Sequence, residues 1–286
     1  MIDLVRVAEL DVSAASGLVA RADTLCVVAD DETFLAVYRH DGTPMSRVAL
    51  LRDEPPLPEP HAERKRRKPD FEALVELPDG RLLALGSGST PARMRGVLID
   101  PARDWAVRTI DLSALYGALA RELPELNLEG AAVHAERLWL AQRGNGASAQ
   151  NACVQLDLAG VLRELDGSAA LGASTLQAIT RVDLGTLDGV PLGFTDLSAH
   201  AEHGLFFSAA AEASASTYDD GAVAGSVLGV LSPSGDVLSC QRLAPACKIE
   251  GLAVVSASRS SAVTVALVAD PDDRALPAPL FFATFK

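Results

Sequence analysis

Acidic side chains recur at the starts of strand-like apolar segments in this sequence of 286 residues. The carboxylates are Glu72, Glu129, Asp196 and Glu250, and Ser16 stands at the corresponding place in an earlier segment. Two carboxylates about 5 Å apart repel by roughly 3 kcal/mol at an effective dielectric constant near 20. A bound Ca²⁺ would offset that repulsion, because this ion takes about six to eight oxygen ligands, whereas Zn²⁺ prefers His and Cys. The four carboxylates therefore predict a divalent-cation site, with Ca²⁺ as the preferred cofactor.

Further polar residues stand where the following apolar segments end, and we expect them to share a rim with the four carboxylates. Together with Ser16 and a lysine that precedes one carboxylate, they are the predicted ligand-binding residues: Ser16, Asp30, Ser87, Glu212, Lys248 and Asp270. Arg143 occupies such a position too, and we assign it a catalytic role together with Glu129, in which the arginine stabilises negative charge on a substrate. The basic residues 64–68 belong to the same rim, where they either steer an anionic ligand or form a solvated loop.

The chemistry that this set predicts is metal-assisted hydrolysis of an ester, a lactone or a phosphoester. A serine hydrolase is not indicated, since the sequence has no Gly-x-Ser-x-Gly motif and its five histidines fall mostly in turns. The alternative is a non-catalytic binding or scaffold protein. In that case each acid caps backbone N–H groups or pairs with a base such as Arg143, Lys68 or Lys248. The sequence leaves both readings open.

The elements that must position these residues form an internal repeat. Five segments share one plan, and they begin near residues 16, 71, 128, 195 and 249. Each has a polar start, an apolar strand, a tight turn and a second apolar strand. Another pair of strand-like runs follows, with turn sequences such as Asp-Gly, Pro-Asp-Gly or Ser-Gly-Asp. Each unit therefore predicts a four-stranded antiparallel meander, and a ring of such units is a β-propeller.

The ring is expected to close through the two ends of the chain. The last unit has only three strands, whereas residues 2–10 have a strand pattern and no unit of their own. Pairing this strand with the last blade removes an exposed sheet edge. The predicted fold class is therefore all-β, a single five-bladed propeller over residues 1–286. The alternatives are a sixth blade hidden in residues 166–191, a β-sandwich, or two smaller β domains. The one convincing helix is predicted at residues 112–123.

Composition argues against several classes of partner. The net charge of −13 disfavours nucleic acid and anionic membranes, because both reward a basic surface. The first residues lack the basic start and apolar run of a signal peptide, and no apolar stretch reaches the roughly 18 residues of a membrane helix. We therefore expect a cytoplasmic protein that binds a small polar or anionic ligand. The four cysteines show no metal-binding spacing, and a reducing compartment would keep them as thiols.

Three of the strand starts share the pattern (Asp/Asn/Lys)-x-Glu-(Gly/Ala), namely Asp70-Phe71-Glu72-Ala73, Asn127-Leu128-Glu129-Gly130 and Lys248-Ile249-Glu250-Gly251. This pattern resembles the bacterial phytase-like propellers, a family described by the esterase-like activity of phytase. The resemblance implies a propeller fold and, by analogy with secreted phytases and calcium-dependent lactonases, a metal-assisted hydrolase. The chain departs from that family because it lacks a secretion signal and the dense Asp/Glu calcium loops of true phytases.

Overall fold

Five antiparallel sheets form a ring in the structure, a computed structural model that describes residues 1–145, 150–213, 222–257 and 262–286. The predicted five-bladed propeller is confirmed. The first blade contains Ala15–Arg21, Thr24–Ala29, Phe34–Arg39 and Pro44–Ala49. The second contains Phe71–Glu76, Leu82–Gly86, Arg95–Asp100 and Ala106–Asp111. The third contains Leu128–His134, Arg137–Gln142, Ala152–Asp157 and Leu176–Arg181.

The last two blades include the ends of the chain. The fourth contains Val190–His200, Gly204–Ala213, Ala222–Leu231 and Val237–Ala244, with the short strands Thr186–Leu187 and Ile2–Asp3 at its edges. The fifth contains Ile249–Ala257, Val263–Ala269, Ala278–Phe285 and the N-terminal strand Val5–Leu10. The first strand of each blade contacts the first strands of both neighbouring blades, which closes the ring around a central channel.

The closure differs in one detail from the prediction of a single strand over residues 2–10. Val5–Leu10 pairs antiparallel with Ala278–Phe285 and completes the fifth blade, as predicted. Ile2–Asp3 instead pairs in parallel with the end of Val237–Ala244 in the fourth blade. The N-terminal segment therefore joins two blades, because the chain changes sheets at Leu4.

Three α-helices lie outside the sheets, at His61–Arg67, Ser113–Glu122 and Leu158–Gly167. Short 3₁₀ helices cover Pro91–Arg93, Pro101–Arg103 and Ala173–Thr175. The second α-helix matches the predicted helix at residues 112–123. The region at 166–191 holds the end of the third helix and the last strand of blade three, so it contains no sixth blade. Among the described residues, no helix has the length and apolar character needed to cross a bilayer.

Apolar side chains fill the space between neighbouring blades. Phe206 of blade four, for example, meets Phe285 of blade five edge to face, with 5.6 Å between the ring centroids. Trp139 is buried between blades three and four and donates its indole N–H to the carbonyl of His134 at 3.2 Å. This packing fixes the angle between blades, and it thereby fixes where the first strands enter the channel.

Candidate functional site

The three glutamates of the repeated pattern share a structural feature, a β-bulge near the start of the first strand. In blades two, three and five the first strand carries one extra residue there, which is Glu72, Glu129 or Glu250. A bulge redirects a side chain away from the regular alternation of a strand. All three glutamates line one polar pocket at the same end of the channel, which we call the channel mouth.

Asp196 does not belong to this set. In blade four the extra residue is Thr195, and Asp196 pairs with Ser208 one position further along the strand. The alignment of Asp196 with the glutamates is therefore wrong by one residue. Its fully buried carboxylate accepts the backbone N–H groups of Leu197 at 2.7 Å and Leu252 at 2.8 Å. Burial raises the pKa of Asp196 well above its usual range, while these amide bonds oppose the rise.

Arg143 connects three blades at the channel mouth. One guanidinium nitrogen, Nη1, lies 3.3 Å from Glu129 and 3.4 Å from Glu250, and Nη2 lies 2.5 Å from Glu212. The side chain is 5 % exposed, so these are buried ion pairs. Gly193 makes room for it, because a Cβ atom there would stand 3.0 Å from the Arg143 Cγ. Because Arg143 Nη1 lies 3.3 Å from Glu129, the two residues of the predicted catalytic pair are in direct contact.

The residue two places before each glutamate decides how that glutamate is neutralised. In blade three, Asn127 donates its amide N–H to Glu129 Oε1 at 2.5 Å. In blade five, the Lys248 ammonium lies 3.3 Å from Glu250 Oε1. Lys248 also pairs with Asp272 at 2.8 Å, so it balances more than one acid. Both glutamates therefore have hydrogen-bond donors of their own, in addition to Arg143.

Blade two breaks this rule, because the residue two places before Glu72 is another acid, Asp70. Asp30 of blade one approaches them, and one carboxylate oxygen from each of the three residues lies within 4.8 Å of the others. We call Asp30, Asp70 and Glu72 the acidic triad. Two cations accompany it: Lys68 pairs with Asp30 and, at 2.9 Å, with Asp70, while Arg93 pairs with Asp70 at 2.7 Å.

Glu72 is the member of the acidic triad that lacks a partner. It makes no hydrogen bond or ion pair with any residue of the described chain, although its side chain faces the polar pocket. Burial raises the pKa of its carboxyl group well above the usual range, and the charges of Asp70, Glu129 and Asp30 raise it further. Lys68 opposes the rise only in part. Glu72 therefore favours either a proton or an additional cation.

Two other carboxyl groups at the mouth also bind protons more tightly than usual. Burial raises the pKa of Glu129 to about 8, against the lowering effect of Arg143. Burial likewise raises the pKa of Asp270 to about 8, and Lys248 opposes it. Perturbed carboxyl groups gathered in one pocket are typical of functional sites.

The channel mouth contains two adjoining pockets. The inner pocket has a volume of about 80 Å³ and is lined by the three glutamates together with the cations and amides that surround them. The outer pocket measures about 120 Å³ and lies toward residues 64–68 and the loop at 270–274. Asp30, Lys68 and Asp270 line both pockets, so the two communicate.

The structure brings most of the predicted ligand-binding residues to these pockets. Those that line them are Ser16, Asp30, Lys248 and Asp270. Ser87 is fully buried and donates its hydroxyl to Asp70 at 2.6 Å, and Glu212 is held by Arg143, so these two act behind the pocket surface. The functions assigned to these residues stay predictions.

The basic run at 64–68 is only partly solvated, since Arg64 and Lys68 are largely buried. Arg64 donates to the backbone carbonyl of Asp31, and Lys65 lines both pockets. The helix His61–Arg67 therefore borders the channel mouth. Whether its charges steer an anionic ligand stays a prediction.

Sequence reasoning missed three residues of the site. Asp70 and Asn127 stood in the repeated pattern itself, two places before a glutamate. Only their contacts show that Asn127 donates to Glu129, whereas Asp70 joins Glu72 in the acidic triad. Arg93 gave no signal, because it lies in a 3₁₀ helix between strands and reaches Asp70 only through the fold.

Comparison with known proteins identifies the family of this chain. Residues 11–284 match the Family of unknown function (DUF6929), and the chain belongs to that family. No curated protein sequence matches the chain. The resemblance to phytase-like propellers is not confirmed by these matches.

Solved structures of similar shape include several enzymes. One belongs to work on the GH130 family of mannoside phosphorylases, which contains glycoside hydrolases that target β-1,2-mannosidic linkages in Candida mannan. Its TM-score is 0.50 at 9% identity, and the match covers 98% of this chain and 85% of that one. A gluconolactonase from Xanthomonas campestris gives TM-score 0.47 and 10% identity, covering 98% and 88%. A luciferin-regenerating enzyme gives 0.45 and 12%, covering 98% and 79%. Likeness at such identities concerns the fold alone.

Proposed function

We propose that the channel mouth binds a divalent cation, Ca²⁺ by preference, and that the protein is a metal-assisted hydrolase of a small ester, lactone or phosphoester. The observation that carries the proposal is Glu72, a carboxyl group that receives no donor from the described residues and lies within 4.8 Å of Asp30 and Asp70 oxygens. Three carboxylates face two cations, Lys68 and Arg93. An additional positive charge would relieve the remaining repulsion.

The acidic triad fits a hard cation, because all of its donor atoms are carboxylate oxygens. A divalent ion would compete with Lys68 for Asp30 and Asp70, since the ammonium already contacts both. When bound, the ion supplies Lewis-acid polarisation of a carbonyl or phosphoryl oxygen. Glu129 and Glu250, which we also predicted as metal ligands, contact Arg143 in this arrangement.

The other residues of the mouth suit acid–base work beside that ion. With its pKa of about 8, Glu129 holds a proton near neutral pH and can donate it to a leaving group. Asn127 and Arg143 fix the position of this carboxyl group through their contacts with its two oxygens. The inner pocket of about 80 Å³ admits only a small reacting group, and the outer pocket would hold the rest of the substrate.

One observation favours the second candidate, a non-catalytic binding propeller. Arg143 pairs with Glu129, Glu212 and Glu250, and such a buried network can serve to hold three blades in register. In that case the mouth would bind a small polar ligand without transforming it. The acidic triad is present in either case, so the two candidates differ in catalysis and agree on cation binding.

The test is a hydrolysis assay on the purified protein with a lactone, p-nitrophenyl acetate and p-nitrophenyl phosphate, in Ca²⁺, Mg²⁺, Mn²⁺ or EDTA. We expect metal-dependent hydrolysis of at least one substrate and a loss of at least about 100-fold in Glu72→Gln, since changes even behind a metal ligand cost 10- to 100-fold. Glu76→Gln is the matched control. It alters the other end of the same strand, where Glu76 pairs with Arg21 at 3.0 Å.

Two results would contradict the proposal. Hydrolysis that continues unchanged in EDTA or in Glu72→Gln would remove the acidic triad from the reaction. Cation binding without hydrolysis of any of the three substrate classes would favour the non-catalytic candidate.

A further inference from the structure

The centre of the ring contains a second polar site, separate from the channel mouth. The Asp196 carboxylate lies there with no exposed surface, and it accepts the amides of Leu197 and Leu252. The backbone N–H groups of Leu18 and Ala131 lie close enough to lower the pKa of the same carboxyl group. The four N–H groups belong to the first strands of blades one, three, four and five.

The other blades leave this space free. At the position that Asp196 holds in blade four, blades two, three and five carry Ala73, Gly130 and Gly251. A Cβ atom on Gly130 would stand 2.6 Å from the Leu197 nitrogen, and one on Gly251 would stand 2.1 Å from the Ser16 carbonyl oxygen. The strands approach so closely that the centre accommodates one polar side chain.

The N–H groups at the ring centre require an acceptor of hydrogen bonds. Every hydrogen bond to Asp196 comes from a backbone amide, and no lysine or arginine pairs with it among the residues that the structure describes. A buried N–H group without an acceptor destabilises the folded chain, so these groups favour a side chain that offers acceptor oxygens. Backbone N–H donors to both oxygen atoms match a carboxyl group, whereas a neutral amide side chain would turn its own N–H₂ group toward one of them.

We infer that the ring centre is a carboxylate-binding site whose ligand is supplied by the chain itself. Asp196 is the tethered ligand, and its bonds hold the strands just beyond Ser16, Glu129 and Glu250 at the mouth. It also lies between the inner pocket and a cavity of about 450 Å³ at the opposite end of the channel. If the side chain is removed, a free small carboxylate should bind the same backbone amides.

Chemical rescue of Asp196→Gly tests this inference. Melting temperature is measured in sodium formate and, at equal concentration, in formamide and in sodium chloride. We expect the variant to melt at least about 5 °C below the wild type because its buried amides lose their acceptor. Formate should restore at least half of that loss with a saturable dependence on concentration. Ser198→Ala is the matched control, since Ser198 accepts a single amide, that of Val254 at 3.0 Å, on the same strand.

Several outcomes would overturn the inference. An Asp196→Gly variant as stable as the wild type without formate would mean that the amides need no acceptor. An equal effect of formate on the wild type or on Ser198→Ala, or an equal effect of sodium chloride on Asp196→Gly, would make the effect of formate non-specific. If Asp196→Gly does not fold alone, refolding yield in formate against formamide replaces melting temperature, and equal yields would overturn the inference.

Discussion

Replacing Arg143 by methionine should destabilise the protein more than any other single change at the mouth. The guanidinium is 5 % exposed and lies within 3.4 Å of Glu129, Glu212 and Glu250. Methionine keeps much of the apolar stem and removes the charge. It therefore leaves buried carboxylates whose charge has lost its principal partner.

The expected cost is about 3–5 kcal/mol in the free energy of unfolding at pH 7, the range observed when one partner of a buried ion pair is removed. In melting temperature this corresponds to about 10 °C for a chain of this size. Urea denaturation at pH 7 and at pH 5 measures it. The cost should shrink at pH 5, because more protons are available there to neutralise the carboxylates that have lost the guanidinium charge.

Two further variants separate charge from packing. Arg103→Met removes an arginine whose side chain is 83 % exposed, and it should change stability by less than about 0.5 kcal/mol. Adding Glu212→Gln to Arg143→Met should recover part of the loss, because one of the carboxylates that lost the guanidinium charge disappears. An Arg143→Met protein within about 1 kcal/mol of the wild type at pH 7 would refute the reasoning.

The remaining predictions concern pH and backbone packing. Glu129 and Asp270 have a folded-state pKa of about 8, well above the unfolded value near 4. As pH rises, the unfolded chain loses these protons before the folded chain does. The free energy of unfolding should therefore fall as pH rises from about 4 to 8. Urea denaturation across this range checks it, and Glu129→Gln should flatten the decline; an unchanged slope would count against it. Gly251→Ala should cost more than about 2 kcal/mol, since its Cβ would meet the Ser16 carbonyl at 2.1 Å. Its control is Gly117→Ala, at a helix position with open space around it, which should raise the free energy of unfolding by about 0.5–1 kcal/mol. Equal changes in stability for Gly251→Ala and Gly117→Ala would be inconsistent with the close approach of strands.

The ring was predictable because its determinants are local and repeated. The sequence shows the alternation of the strands, the Asp-Gly turns and an N-terminal strand that belongs to no unit of its own. The structure contains the predicted sheets, and it pairs the N-terminal strand with the last blade. The switch of Ile2–Asp3 to the fourth blade was not, because a two-residue pairing leaves no periodic signal.

The site was predictable only in part, because its chemistry depends on register and on contacts between blades. Glu72, Glu129 and Glu250 were found through their common pattern. In blade four the sequence Thr195-Asp196 offered two candidates for the same position, and only the strand pairing shows that the bulged residue is the threonine. The partners of each glutamate come from other blades, so their charges cannot be assigned from spacing along the chain.

Calcium titration by isothermal calorimetry tests the central claim, cation binding at the acidic triad, most directly. The wild type and Glu76→Gln should bind Ca²⁺ at one site per chain, and binding should be abolished or at least about 100-fold weaker in Glu72→Gln. Absence of binding to the wild type, or equal affinity in Glu72→Gln, would contradict the account.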